Sequence, residues 1–151
     1  MAELAASLIG IIEAGTKVAF LLSTLASNIG SAGKEAQVVA REIRSFCSIM
    51  RSLSQAVDQI KDGEYSSRCS ELISEMTAVS QQMFTEILDL VENLRSVSDF
   101  SKTKLNLAGR MKWVLNKPKI AFLRTALETY KADLSLMLGS IHVAQGLNLQ
   151  L

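Results

Sequence analysis

Apolar residues recur at steps of three and four along most of this chain, and no other feature limits its fold as tightly. From Ala36 the positions run Ala36, Val39, Ile43, Phe46, Met50, Leu53, Val57 and Ile60 without a fault. That spacing is the mark of a helix with one buried stripe. A second run passes through Cys69, Leu72, Met76, Val79, Met83, Ile87, Leu90 and Leu94, with one step of four in place of a three at Met83 to Ile87. A third takes Ile120, Leu123, Leu127, Tyr130, Leu134, Met137, Ile141 and Ala144. Between them, Ser101 to Asn116 forms a shorter amphipathic piece around Trp113, ended by Asn116-Lys117-Pro118. Pro118 suits the first turn of the helix that follows.

No stretch alternates with period two for long enough to make a strand. The turns at "SNIGSAGK", "KDGEYSS" and "NKP" are short, so successive helices should reverse direction. The expected fold is all-α: an antiparallel helical bundle of four long helices plus one short helix, with the first helix largely buried. Residues 1–145 form the bundle. Residues 146–151 are read as a tail, in which Leu147, Leu149 and Leu151 hint at a truncated continuation.

The first helix is the unusual one. Leu4 to Ala26 reads "LAASLIGIIEAGTKVAFLLSTLA", almost wholly apolar yet interrupted by Glu13 and Lys17. A secretory signal begins with positive charge and keeps its apolar region unbroken, whereas the first charge here is Glu3. A constitutive membrane span suffers from the same pair, because each charge near the bilayer centre costs about 2.5–3.5 kcal/mol on insertion scales. Glu13 and Lys17 stand one turn apart in the order that favours pairing, which lowers the penalty without removing it. On a helical wheel the polar and small residues gather on one narrow stripe, so a soluble bundle would place this helix at its centre. Ala2, Ala6, Gly10 and Ala14 lie four apart, the small-residue spacing that lets two helix backbones approach in lipid.

With 151 residues, 48% of them hydrophobic and 21% charged, the chain suits one globular domain. The net charge of +1 gives no general attraction to nucleic acid. Two cysteines, Cys47 and Cys69, make no disulfide framework and point to a reducing, cytoplasmic setting. Catalytic motifs are lacking. His142 is the single histidine, with no acidic or cysteine motif beside it, and one His with two distant Cys cannot complete a metal site. "GSAGKE" from Gly30 lacks the glycine spacing and the hydroxyl after Lys34 that a phosphate loop needs. No enzyme activity, cofactor or metal is expected.

Charge is unevenly spread. Lys102, Lys104, Arg110, Lys112, Lys117, Lys119 and Arg124 occur with no acidic residue among them, after a segment from Glu64 to Asp99 rich in acid. One reading is a surface for anionic lipid headgroups, each charge contributing about 1 kcal/mol. The other is that neighbouring acidic and basic helices complement each other inside the bundle. Nucleic acid is not an expected partner, since the lysines have no aromatic platform beyond Trp113.

Two stretches together resemble a known family. "AASLIGIIEAGTKVAFLLSTLASNIGSAGKEAQVVAREI" is similar to the N-terminal helices of fungal HeLo-like domains. "KWVLNKPKIAFLRTALETYKADLSLML", from Lys112 to Leu138, resembles the family's Trp-containing helix, basic turn and Leu-rich helix with Glu-x-Tyr-Lys. Such domains stand at the N-terminus of fungal intracellular immune receptors and related cell-death proteins. They are helical bundles similar to the four-helix domain of the necroptosis executioner and to plant receptor coiled-coil domains. The resemblance implies that, on oligomerisation, the first helix leaves the bundle and permeabilises the plasma membrane; Ala5 to Leu22, with Glu13 inside it, matches that helix. No nucleotide-binding, repeat or amyloid-forming region follows "HVAQGLNLQL", which reads as an excised domain or as a protein triggered by a separate partner.

On this view Leu4, Leu8, Ile9, Ile11, Ile12, Val18, Phe20, Leu21 and Leu22 insert into lipid. Ala2, Ala6, Gly10 and Ala14 pack neighbouring copies, while Glu13 and Lys17 line the polar path. Lys102, Lys104, Arg110, Lys112, Lys117 and Lys119 meet anionic membrane lipids. Burying one large apolar side chain stabilises by about 1.5–3 kcal/mol, so nine of them offset two paired charges. The expected partners are anionic membrane lipids, further copies of the chain in a homo-oligomer, and an upstream receptor or regulatory region. The expected location is the cytoplasm, with movement to the plasma membrane on activation. The alternative is a non-lytic oligomerising or adaptor bundle, serving as the signalling N-terminal domain of a fungal immune receptor.

Overall fold

Among its described residues the computed structural model is all-α, with four long helices: α1 (Ala2–Leu25), α2 (Ala32–Val57), α3 (Glu64–Ser98) and α4 (Lys117–Gln150). The structure describes the backbone of residues 2–26, 32–57, 64–98 and 113–150, and the side-chain surroundings of 6–26, 33–57, 70–92 and 113–143. Among the described residues there is no strand. The short helix expected between Ser101 and Asn116 falls mostly outside them. Its end is present as a single turn at 113–115, where the Asn116 amide donates to the Trp113 carbonyl at 3.1 Å. The Asn116 carbonyl then accepts from the Ile120 amide at 3.1 Å, which starts α4 with Pro118 in its first turn. α4 runs on to Gln150, so residues 146–150, expected as a tail, are helical.

The apolar stripes read from the spacing form the core. Ala36, Val39, Ile43, Phe46, Met50, Leu53 and Val57 of α2 are all buried, as are Ile120, Leu123, Leu127, Leu134, Met137 and Ile141 of α4. On α3 the buried face is displaced toward Ile73, Phe84 and Val91, leaving Leu72 and Val79 half-buried at its edge. Trp113 is 1% exposed and carries the single turn before α4 into the core. The rings of Phe46 and Phe84 meet edge to face at 6.1 Å, joining α2 to α3 across the centre.

Around the bundle the helices follow the order α1, α2, α4, α3. α1 and α2 are antiparallel: Gln37 and Arg44 reach Ser23, Cys47 reaches Ile12 and Arg51 reaches Thr16. α2 and α4 run parallel, tied by Lys117 to Glu35 at 3.8 Å and Arg124 to Glu42 at 2.9 Å. These pairs revise the expected electrostatics. The basic residues that open α4 meet acids of α2, not the acid-rich α3, because α2 is the helix on which α4 chiefly lies. Between α3 and α4 the packing opens instead into a groove of about 510 Å³, walled by Val79, Met83, Ile87, Phe122 and Leu123.

Arg124 grips Glu42 with both Nε and Nη2, at 3.0 and 2.9 Å to the two carboxylate oxygens. That fork holds the Arg124 guanidinium above its ordinary pKa. The pair is partly open to water, so its coupling should be modest. A double-mutant cycle of Glu42→Gln and Arg124→Met, read by urea unfolding, should give about 0.2–1 kcal/mol at low salt and less at high ionic strength. A coupling that is zero at low salt would mean the fork does not help to set the register of α4 on α2.

Candidate functional site

Of α1, one face is seated and the other is open. Leu8, Ile11, Val18, Ala19, Leu22 and Leu25 are buried against α2 and α3. Ile9 is 50% and Phe20 65% exposed, and Ala6, Gly10, Glu13, Thr16, Lys17 and Thr24 also face out. The expectation of a largely buried, central first helix is therefore corrected: 39% of its apolar window is buried. The physical reason is the bundle order, in which α1 has two close neighbours among the described helices and α4 stands at the opposite corner. The polar stripe takes the free side, and two large apolar side chains share it.

Close packing on the seated side depends on Gly15. A β-carbon there would lie 2.5 Å from Cys47 Sγ and 3.2 Å from the Phe84 ring. The absent side chain thus lets α1 sink between α2 and α3. Cys47 is 1% exposed and its Sγ approaches the Ile12 carbonyl at 3.9 Å. Burial pushes the Cys47 thiol up, with Arg51 and the Thr16 hydroxyl acting the other way. It is accordingly an unreactive thiol as long as α1 covers it. Gly33, where α2 begins, lies directly against the Ala26 backbone, so the α1–α2 corner leaves no room for a side chain there.

The open side carries a mixed surface. Arg51 Nη2 donates to Thr16 Oγ1 at 3.2 Å and Arg44 Nη2 to Ser23 Oγ at 2.7 Å, so two α2 cations rim the outer edge of α1. A shallow groove of about 530 Å³ lies along it, bounded by Ile12, Glu13, Thr16, Lys17, Phe20 and Arg51. Glu13 and Lys17, spaced to pair, form no ion pair among the described residues, and both are exposed.

The expected site residues are therefore divided. Leu8, Ile11, Val18 and Leu22 belong to the core; Ile12 and Leu21 are half-buried; Ile9 and Phe20 are outside. Ala6 and Gly10 are exposed, and a β-carbon on Gly10 would meet nothing within 4 Å, while Ala14 is half-buried. Ala2 and Leu4 lie on α1, but their side chains are outside the described residues, as are Lys102, Lys104, Arg110 and Lys112. Lys117 is engaged by Glu35, and Lys119 is exposed on the rim of the α3–α4 groove. Gly15, Cys47, Arg44 and Arg51 were not singled out from the sequence. Gly15 had a signal, since it falls on the same side of the wheel as Leu8, Ile11 and Leu22. Among the described residues no three His, Cys, Asp or Glu side chains gather as a metal site would require.

Ala6–Leu25 is long and apolar enough to cross a membrane by length and composition. Its 20 residues would span about 30 Å, the thickness of a bilayer's hydrocarbon core. No family model, curated protein or solved structure matches the chain.

The seat of α1 has a measurable consequence. Gly15→Val forces a branched side chain onto Cys47 and should destabilise the bundle by about 1–3 kcal/mol in urea unfolding. Leu22→Ala should cost about 2–5 kcal/mol, whereas Phe20→Ala should stay within about 0.5 kcal/mol. Equal effects at positions 20 and 22 would contradict the two-faced placement of α1.

Proposed function

We propose that this chain is a membrane-targeting cell-death module of the HeLo-like kind. It oligomerises and transfers α1 from the bundle to the plasma membrane, which it permeabilises. The observation that carries the reading is the divided state of α1: a helix of membrane-spanning length that is only partly enclosed. The resemblance of its sequence to the first helix of fungal HeLo-like domains supports the same reading.

The energetics favour exchange over permanent burial. Leu8, Ile11, Val18 and Leu22 lose protein contacts when α1 leaves, but regain an apolar surrounding in lipid. Ile9 and Phe20, which face water in the closed bundle, gain one. Against this stand Glu13 and Lys17. On assembly they would line a polar path shared among copies, with Ala6, Gly10 and Ala14 allowing the helices to approach. Lys17, Arg44 and Arg51 on the outer rim of α1 would hold the closed bundle at anionic headgroups beforehand. The trigger would come from an upstream receptor or regulatory region, joined to this domain in a longer chain or acting on it as a partner.

Dye release from vesicles containing anionic lipid tests this. The intact chain should release dye, and deletion of residues 1–25 should abolish release. Phe20→Glu is the sharper variant, because position 20 is exposed and the bundle should fold normally. A buried carboxylate costs about 2.5–3.5 kcal/mol on insertion scales, roughly a hundredfold in partition. Release undiminished by both changes would remove α1 from the mechanism. A chain that stays soluble and ignores vesicles at all concentrations would instead be a non-lytic adaptor bundle.

A further inference from the structure

α4 has two uncharged stripes, and only one is used inside the bundle. The buried stripe faces α2 and the core. Two residues out of phase with it run Phe122, Thr125, Thr129, Ala132, Leu136 and Gly139, continuing to Val143 at the same alternation of three and four. All are exposed: Phe122 is 66%, Leu136 73% and Val143 64% accessible. A solvated helix face ordinarily carries charge, as the outer face of α3 does with Glu71, Glu75, Glu86 and Asp89. An outward stripe with no charge and strict heptad spacing has the form of a helix-pairing seam.

We infer that this stripe is a self-association surface, through which α4 pairs antiparallel with α4 of a second copy. The occupant follows from the order of side-chain sizes along the stripe. In the antiparallel heptad register that places Thr129 opposite Ala132 of the second copy, Phe122 falls opposite Gly139 and Thr125 opposite Leu136. Each layer between positions 122 and 139 then sets a larger side chain against a smaller one, as close packing of two facing rows requires, and Val143 lies beyond them opposite Pro118. Around Gly139 the space is open, with nothing within 4 Å of where a β-carbon would stand, so the phenyl ring has room.

The flanks agree in charge. In that register Glu128 faces Ser135, Asp133 faces Ala126 and Ala121 faces His142, so no like charges meet across the seam. A parallel pairing would set Phe122 on Phe122 and Gly139 on Gly139, crowding one layer and emptying another. The antiparallel arrangement is a two-fold, self-complementary contact, the commonest way for identical chains to associate. It stands apart from the membrane reading, since α1 and α4 occupy opposite corners of the bundle and α4 pairing needs no lipid.

Sedimentation equilibrium of the full chain in lipid-free buffer tests the pairing. The intact chain should shift with concentration from its 16.5 kDa mass toward twice that value. Phe122→Ala empties one layer and Gly139→Phe overfills the same layer, so each alone should weaken dimerisation at least about tenfold, with helicity by circular dichroism unchanged. The double variant Phe122→Ala with Gly139→Phe exchanges large for small across the seam and should restore the dimer. A strictly monomeric chain at all concentrations would overturn the inference. So would a dimer indifferent to either single change, or a double variant no better than the worse single. Dye release by α1 is read separately, so its failure and the failure of α4 pairing are distinguishable.

Discussion

The closed bundle depends on how α1 is seated over Gly15. At that point the α1 backbone comes near enough that a methyl group would collide with the Cys47 sulfur and press on the Phe84 ring. Leu8, Ile11, Val18 and Leu22 fill the cleft on either side of it. The Phe46–Phe84 contact forms part of the floor. Tight packing of this kind is sensitive to small displacements, because dispersion attraction fades within a fraction of an ångström. A helix held by one close-packed seam, with its other face in water, can be held firmly and still be released as a unit.

The outer edge of α1 is held differently. Arg44 and Arg51 of α2 reach its serine and threonine hydroxyls at the surface. Those donors are exposed and lose little on returning to water, so they add register more than strength. On the proposed reading, such contacts would position α1 in the bundle without preventing its release. The uncharged outer stripe of α4 lies at the far corner, where pairing of copies would leave the α1 face free to meet a membrane.

Much of the fold was legible in the sequence, for an identifiable reason. The remaining faces of α2 are polar, so spacing marks its buried side; α4 was legible from its unbroken steps of three and four, although Phe122, Leu136 and Val143 stand on its outer face. The described stripe positions of both helices are buried, apart from Tyr130 at the edge. α1 was harder, because it is apolar around most of its circumference. Composition says that such a helix should be enclosed but not by how many neighbours, and the bundle order gives it two close ones. The partners of the basic residues near α4 were misjudged for a similar reason: adjacency in sequence favoured α3, whereas α4 lies chiefly on α2 and Glu35 and Glu42 take the charges. Of the candidate site, the polar stripe of Glu13 and Lys17 stood out in the sequence. The contribution of Gly15 arises from interhelical distance, which a single helix's pattern does not contain.

Cys47 supplies the most direct test, since the chain already carries its own reporter beneath α1. In a Cys69→Ser background, maleimide labelling of Cys47 should be slow in lipid-free buffer. It should accelerate sharply when vesicles containing anionic lipid are added, as α1 lifts from Gly15's seat and uncovers the thiol. Labelling that stays slow while the same vesicles release their dye would contradict the account, because permeabilisation would then proceed with α1 still in place.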